Sequence, residues 1–459
     1  MISHSETADR NLDEIVIDLL GIEDYPRLRT LLEDEYAPDI ADVLERLNEE
    51  ARFSVFGQLS LDKGAEVLDE LGVYATRQIL RQLPTERVAA LLEHMPTDDV
   101  VEMLAHDIRD RRDEILPALS AELATEVREA LNFPPFSAGR LMTRKYARIN
   151  ASMTAQQVLA DARRQIKTKI ETLNDFYVVG ENNRLEGVVS LIEIVSAPPD
   201  KTVDQIMERD VVSVTPDTDQ EEAARILQRY DFLALPVVTE DGRMLGIITV
   251  DDASDVLSFE ATEDILKFGG VTISNEVQDQ PYFTTPIFRV VRQRFVWLLL
   301  LFLADTITGN VLRIFEGELA SVVALSFYIP LLIGTGGNTG AQTVSTIIRG
   351  MALDEIQQRD AFKVLMRELL SGLILGTMLG IVGGLRAYSW DQNAQLALVV
   401  GITLVVVCAW SNTIGSLIPL VVKRIGIDPA VVSAPLITTL VDATGLFIYL
   451  SIARVMLGL

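Results

Sequence analysis

Asp442 places a carboxylate near the middle of an apolar segment over 429–455. Holding a charge at bilayer depth costs ~3 kcal/mol on insertion scales, so such a residue faces a protein interior or a wet pathway. Thr438, Asp442, Gly445 and Tyr449 follow at steps of four, three and four, which puts them on one helix face. Leu, Ile, Val and Phe cover the other faces. The chemistry this suggests is cation binding. One carboxylate is too little to strip Mg²⁺, which dehydrates reluctantly. Two copies around a dimer axis, with Thr hydroxyls and backbone carbonyls, suit a hydrated divalent cation held through its waters. Asp305 is a second intramembrane carboxylate, which lines the same pathway or bonds across helices. Polar residues interrupt two further apolar segments, at Gly334 to Gly340 with Gln342, Thr343 and Ser345, and at Trp410 to Ser416. Small residues permit close helix approach and amides bond across helices. The candidate pore-lining set is Asn338, Gln342, Ser345, Thr438, Gly445 and Asp305.

A second group of carboxylates lies on an acidic amphipathic segment over 250–266. Asp252, Asp255, Glu260, Glu263 and Asp264 come round to nearby faces. Like charges three or four residues apart destabilise a free helix, so positive charge must offset them. Millimolar Mg²⁺, bound weakly and through water, suits scattered carboxylates. Bound cations would favour a compact state and depletion would let repulsion open it, so the pattern predicts feedback by internal Mg²⁺.

The 459-residue chain carries a net charge of −26. Its charge is segregated: residues 281–459 hold 12 Lys/Arg and 10 Asp/Glu, leaving 28 and 56 for residues 1–280. An acidic half joins a nearly neutral membrane half. That balance argues against nucleic acid and anionic lipid as partners and favours cations. Residues 1–6 are polar, with no secretory apolar region. The single cysteine, Cys408, excludes intrachain disulfides and thiolate metal sites, and the three histidines have no zinc spacing. No Walker A loop, H-E-x-x-H motif or nucleophile elbow is present, so no enzyme is expected. The glycine run resembles a dinucleotide loop only superficially, since Thr339 holds the sixth position and no βαβ unit surrounds it.

These residues must be positioned by four regions. Residues 1–137 read as short helices in units recurring about every two dozen residues, or half that, with starts at Pro84-Thr85 and Pro96-Thr97. This predicts an all-α superhelical domain. Over 138–250 one pattern occurs twice, offset by about 60–65 residues: Met142-Thr143 to Gly187-Val188, then Met207-Glu208 to Gly246-Ile247. Each copy reads strand, helix, strand, turn, strand, helix, and the pair resembles tandem cystathionine-β-synthase-type (CBS) domains. Residues 251–288 are the acidic connecting helix and linker. Residues 289–459 hold five apolar segments, near 295–315, 319–347, 362–387, 394–422 and 429–455, most longer than the ~20 residues needed to span. Arg289, Arg292, Arg294, Arg349, Arg359, Lys363, Arg367, Lys423 and Arg424 gather in the loops of one side. By the positive-inside rule the N-terminal domains are cytoplasmic and the C-terminus is outside. The fold class expected is a multidomain membrane protein: all-α superhelical domain, α/β tandem CBS domains and all-α five-helix transmembrane domain.

This order resembles the MgtE family of Mg²⁺ channels or transporters over essentially the whole chain. The resemblance is carried by Tyr230-Asp231, Leu235-Pro236-Val237-Val238, Ala261-Thr262-Glu263-Asp264-Ile265, Gly336-Gly337-Asn338-Thr339-Gly340 and Asp428-Pro429-Ala430 leading to Asp442. It implies a homodimer in the plasma (inner) membrane, with Asp442 as the pore-ion residue. It also implies cytoplasmic Mg²⁺ sites at Glu221, Asp231, Asp252, Asp255, Glu260, Glu263 and Asp264, and makes ATP at the CBS pair a candidate ligand. The chain departs from the family pattern at Ala320, Ala341 and Ala434, where polar or acidic contacts, or a glycine, are expected; ion selectivity is the property these touch. Two rival functions stay open, a CBS-based membrane sensor that transports nothing and a coupled carrier of Mn²⁺ or Co²⁺.

Overall fold

A computed structural model describes residues 12–165, 170, 172–271, 285–353 and 355–459. The expectations for residues 1–6 and for the linker over 272–284 lie outside the described residues. The chain forms two compact units, which divide between Glu260 and Ala261 inside the acidic connecting helix.

The first unit begins with short helices from Leu12–Gly21 to Ala121–Ala130, and their apolar faces share one core. Helices of eight to ten residues are too short to stand alone in water, so stacking must stabilise them. The stacking repeat is visible in the capping. Glu33, Glu45 and Glu93 each accept from a backbone N–H 27 residues on, at Ser60, Gly72 and Ser120. Arginines do the reverse at helix ends. Arg52 donates to the Leu44, Glu45 and Leu47 carbonyls, and Arg111 to those of Leu80 and Leu83. Each unit thus satisfies terminal groups that its neighbour leaves open. The helices Thr85–Leu92 and Thr97–Glu102 start where the Pro-Thr pairs predict.

The CBS pair follows. In the first copy β1 (Tyr146–Ile149) pairs parallel with β2 (Thr172–Val179), which pairs antiparallel with β3 (Leu185–Ser190). In the second, β4 (Ala234–Val238) and β5 (Met244–Thr249) form the equivalent hairpin. The expected first strand of this copy shrinks to one parallel bridge, Val214 to Val237. Pro236 explains this, because it has no N–H for the next rung. The copies exchange their leading segments. Thr143 bonds in both directions to Ile247 on β5, and Glu208 likewise to Val188 on β3. A glycine sits under each crossing. A Cβ on Gly246 would lie 2.5 Å from the Thr143 carbonyl, and one on Gly187 2.7 Å from that of Glu208.

In the second unit, four described helices are long and apolar enough to cross a membrane: Ile287–Ile314, Gln358–Asp391, Ala394–Arg424 and Ala434–Leu457. Between the first two lies Ala324–Ala352, equally long at 29 residues, in which Gly, Thr, Asn and Gln dilute the apolar content. These five are the first to fifth membrane helices. The second, fourth and fifth pack together, the third lies on the fourth, and the first lies on the fifth. Three starts differ from expectation. The first helix begins eight residues early, because its leading turns carry Arg289, Arg292 and Arg294, which an apolar count passes over. The second begins at 324, after a separate short helix, Glu316–Ser321, and a break at Val322. The fifth begins at 434, since Pro429–Val431 forms its own turn and Ser433 caps the helix ahead of Pro435.

The swap predicts a positional asymmetry among glycines. Gly246→Val should lower the thermal midpoint of the detergent-solubilised chain, in line with the ~1–3 kcal/mol typical of overpacking. Gly21→Ala, at a helix end with nothing within 4 Å, should leave it unchanged. Equal midpoints for native and Gly246→Val would remove the crossing as a constraint.

Candidate functional site

Two sites of gathered negative charge emerge, one in each unit. The membrane site is built on a close approach of the second and fifth helices. A Cβ on Gly337 of the second helix would meet Asp442 Oδ1 and Thr438 Cγ2 of the fifth at 3.3 Å each. Gly336 faces Val407, Val441 and Ser411, and Gly340 faces Ile437 and Val441, at distances that admit no side chain without displacement. The glycine run is therefore a backbone surface against which the fifth helix lies. Thr438 donates its hydroxyl to the Pro435 carbonyl at 2.9 Å, so the lone pairs are what it offers outward. Asp442 is half-buried. Among the described residues no basic side chain reaches it, and the charged neighbour is Asp305.

The other pore candidates divide into two faces. Asn338, Gln342 and Ser345 are all exposed, on one stripe of the second helix. Gly334 shares that stripe, with open space where a Cβ would stand. Gly445 instead is buried against Val407, and Tyr449 is fully buried with its hydroxyl on the Leu325 carbonyl at 2.9 Å. The lower half of the predicted face thus serves packing. Asp305 and Thr439 line a cavity of about 520 Å³ with Phe295, Leu299 and Phe302, between the first and fifth helices.

The second site lies at the start of the connecting helix, Val250–Phe268. Oxygens of Asp98, Asp99 and Asp252 lie within 4.8 Å of one another, close enough to share a metal ion. Asp98 is 8% exposed. Asp69 hydrogen-bonds Asp99, and Asp251 and Asp255 act on Asp69 from the connecting helix. Burial first, then Asp98 and Asp69, push the Asp99 carboxyl far above the usual carboxylate range. Burial also raises Asp255, with Asp251 adding to it. Repulsion within the cluster favours the uptake of protons or a cation. Asp252 and Asp255 were legible as candidates; Asp69, Asp98 and Asp99 were not. The acidic first turn Thr97-Asp98-Asp99 reads equally well as ordinary favourable charge at a helix start.

The remaining expected ligands stand apart from this cluster. Glu221 pairs with Arg225, four residues on. Gln220 donates to Glu260 at 3.3 Å. Asp231 is exposed, in a left-handed conformation with φ of 54°. Asp264 is half-buried. Glu263 is bound by Lys267 at 3.0 Å, and the same ammonium reaches Asp428 at 2.8 Å, just before the fifth membrane helix. Burial alone would lower Lys267, but the bonds to Asp428 and Glu263 outweigh it and hold it above the usual lysine range. Phe268 packs on Val344, Val432, Ile437 and Val441, next to Asp442 in the chain.

Comparison with known proteins covers all these regions. The divalent cation transporter family model MgtE matches residues 329–452, the MgtE intracellular N domain matches 36–135, and CBS domains match 138–200 and 203–258. The magnesium transporter MgtE of Thermus thermophilus is 41% identical over 445 residues, 95% of this chain and 96% of that protein. That of Bacillus subtilis is 34% identical over 74% of this chain and 73% of its own length. A solved cytosolic domain of the Mg²⁺ channel MgtE in complex with ATP aligns at 36% identity, with a TM-score of 0.51 over 53% of this chain and all of that one.

The carboxylate cluster predicts opposite effects in two buffers. In chelator, Asp99→Asn should melt above the native chain, because one of several repelling buried carboxyls is gone. In millimolar Mg²⁺ the order should reverse, since ligand binding stabilises only the form that binds. A native midpoint insensitive to Mg²⁺ would exclude a cation at this cluster.

Proposed function

Since this chain belongs to the MgtE family of divalent cation transporters, we propose that it carries Mg²⁺ across the membrane through a pore centred on Asp442, under control of its cytoplasmic carboxylates. The observation that carries the reading is the set around Asp442: a carboxylate with no basic partner among the described residues, a Thr438 hydroxyl with lone pairs outward, and a glycine backbone at van der Waals distance. Acceptors of this kind take hydrogen bonds from the waters of a hydrated Mg²⁺ without requiring it to dehydrate. Permeation needs binding favourable enough to enter and weak enough to leave, and a single carboxylate per chain meets that condition.

The exposed stripe of Asn338, Gln342 and Ser345 cannot face lipid at low cost. A second copy of the chain would cover it, and the family resemblance supports a homodimer with the stripe and Asp442 along a shared axis. Most basic residues of this unit stand at the start of the first and third helices and the end of the second and fourth, one side of an alternating bundle. This supports an N-terminal half in the cytoplasm and a C-terminus outside. The activity is transport, and no step of it requires bond making or breaking.

Control follows from the second site. A cation held among Asp98, Asp99 and Asp252 would relieve the repulsion at the head of the connecting helix. The tail of that helix is already docked in the membrane unit, by Lys267 on Asp428 and by Phe268 beside Val441. High internal Mg²⁺ would hold this arrangement, and depletion would release it. By linkage, the ion shifts the equilibrium only as far as its affinity differs between the two states. The ATP in the related cytosolic domain supports a nucleotide at the CBS pair as a further input.

In proteoliposomes with low Mg²⁺ on the cytoplasmic side, Asp442→Ala should lose Mg²⁺ flux by at least about tenfold, as expected when the charge of a permeation site goes. Asp305→Asn should keep most of the maximal flux and raise the half-saturating concentration, because the residue stands beside the path. Unchanged flux in Asp442→Ala would move the ion site, and no flux in the native chain would favour a sensor. Separately, Lys267→Ala should raise the internal Mg²⁺ needed for half-inhibition. An unaltered inhibition curve would leave the Lys267–Asp428 pair without a role in closure.

A further inference from the structure

The third membrane helix carries a carboxylate that the transport reading does not use. Glu368 lies seven residues into Ala361–Asp391, half-buried against the fourth helix. The Asn412 side chain, 2% exposed, donates its Nδ2 to the Glu368 carbonyl at 3.1 Å and to Glu368 Oε2 at 3.3 Å. Its other end, Oδ1, accepts from the Thr343 hydroxyl at 3.0 Å. Thr343 is 6% exposed, and its single proton has a second acceptor, the Thr339 carbonyl at 3.1 Å. Glu368, Asn412 and Thr343 therefore form one buried relay across three helices.

The relay has a direction. An amide presents an acceptor at one end and donors at the other, and its neighbours decide which way it points. The Glu368 carbonyl accepts always and its carboxyl oxygen accepts whether or not the group carries its proton, so together they draw the NH₂ of Asn412 to their side. That leaves Oδ1 for Thr343. With Oδ1 there, Thr343 has an acceptor across the helix boundary as well as its own backbone. The contact is tightly backed. A Cβ on Gly415 would lie 2.8 Å from the Gly340 carbonyl and 3.1 Å from Thr343 Cβ, and one on Gly372 would lie 3.1 Å from Asn412 Cβ. Thr343 is six residues from Gly337 on the same helix, ~9 Å along the axis.

We propose that Glu368 is a positioning residue for the pore: by orienting Asn412 it holds Thr343, and with it the glycine helix, at the register that sets Gly337 against Asp442. The proposal rests on the reading of Asp442 as the ion site. It differs from packing by a polar pair in that it requires a side-chain acceptor at 368 beside the backbone carbonyl and a donor at 412, or that side-chain pairing reversed.

The test is a cycle on the full chain in proteoliposomes, with flux normalised to monodisperse reconstituted protein and Asp442→Ala run in parallel. Asn412→Asp sets two carboxyls face to face and should lower maximal Mg²⁺ flux about tenfold, with half-saturation changed less than about twofold, a coupling within the range seen for contacting pairs. Glu368→Gln retains an acceptor and should stay within about threefold of native. The double variant Glu368→Gln/Asn412→Asp restores a donor–acceptor pair and should recover to that level. Glu368→Leu keeps only the backbone carbonyl as acceptor, and should be as slow as Asn412→Asp. If Glu368→Leu passes Mg²⁺ at the native rate, or the double variant stays as slow as Asn412→Asp, the positioning role is refuted. Loss of flux in Asp442→Ala alongside either result shows that the ion-site reading survives. A purely structural role would lower yield and melting temperature in Glu368→Leu without changing flux per reconstituted molecule, and that result also overturns the proposal.

Discussion

Negative charge gathered at close range is the constraint on which the rest of the molecule depends. Most buried carboxylates in folded proteins are paired, because an isolated one is costly. Here two sites depart from that rule. Among the described residues no basic side chain reaches Asp442, and its charged neighbour is another carboxylate, Asp305. In the cytoplasmic unit, Asp98, Asp99 and Asp252 converge with Asp69 hydrogen-bonded beside them. The chain does form internal ion pairs where closure requires them, as Lys267 shows by bridging Glu263 and Asp428. Asp442 beside Asp305 and the converging cytoplasmic carboxylates are thus two places where negative charge is gathered, and a cation is the species proposed for both.

The packing of the membrane unit follows from bringing backbone close to the first of these sites. Lipid gives helices no hydrophobic reason to associate, so small residues and interhelical hydrogen bonds must do it. On the third helix Gly372, Gly376 and Gly380 lie so close to the fourth that a Cβ would come within 2.6–2.8 Å of its backbone. The fourth helix meets the second through Gly415 at the Gly340 carbonyl and through Asn412 on Thr343. The second then offers Gly337 to Asp442 and Thr438. Glycines thus set the spacing from the outer helix to the ion site, while the polar side chains set register.

Much of this was legible because it is periodic. Thr438 and Asp442 share a face because of four-residue spacing, and the duplicated Met142 and Met207 segments exchange places because the copies obey the same pattern. Periodicity reports one element at a time, and that is where it stopped. It read Gly445 and Tyr449 as continuing the Asp442 face, yet both are buried by the fourth and second helices. It could not join Asp99 to Asp252, more than 150 residues apart, since an acidic first turn at Thr97 has a sufficient local explanation in the helix dipole. Glu263 reads as a ligand on spacing alone, whereas Lys267, one turn on, is its partner. Glu368 was invisible for a related reason: one carboxyl near the basic end of an apolar helix resembles its surface neighbours until Asn412 is seen to reach it.

In the proposed reading the two carboxylate sites are coupled through the one helix common to both units. The connecting helix runs 19 residues, ~28 Å at 1.5 Å per residue, with Asp252 in its first turn and Lys267 and Phe268 at its end. Charge compensated at its head stabilises whatever position its tail then holds, and the tail carries its own cation and apolar anchor. The tail contacts are therefore independent of the ion, while the head is not. Under the proposed control, such a division would grade the response by occupancy at the head alone, with a docked state defined by fixed contacts rather than by the ion itself. Weak, water-mediated binding suits this role, since a cluster that held its cation tightly would stay occupied at every physiological concentration and could report nothing.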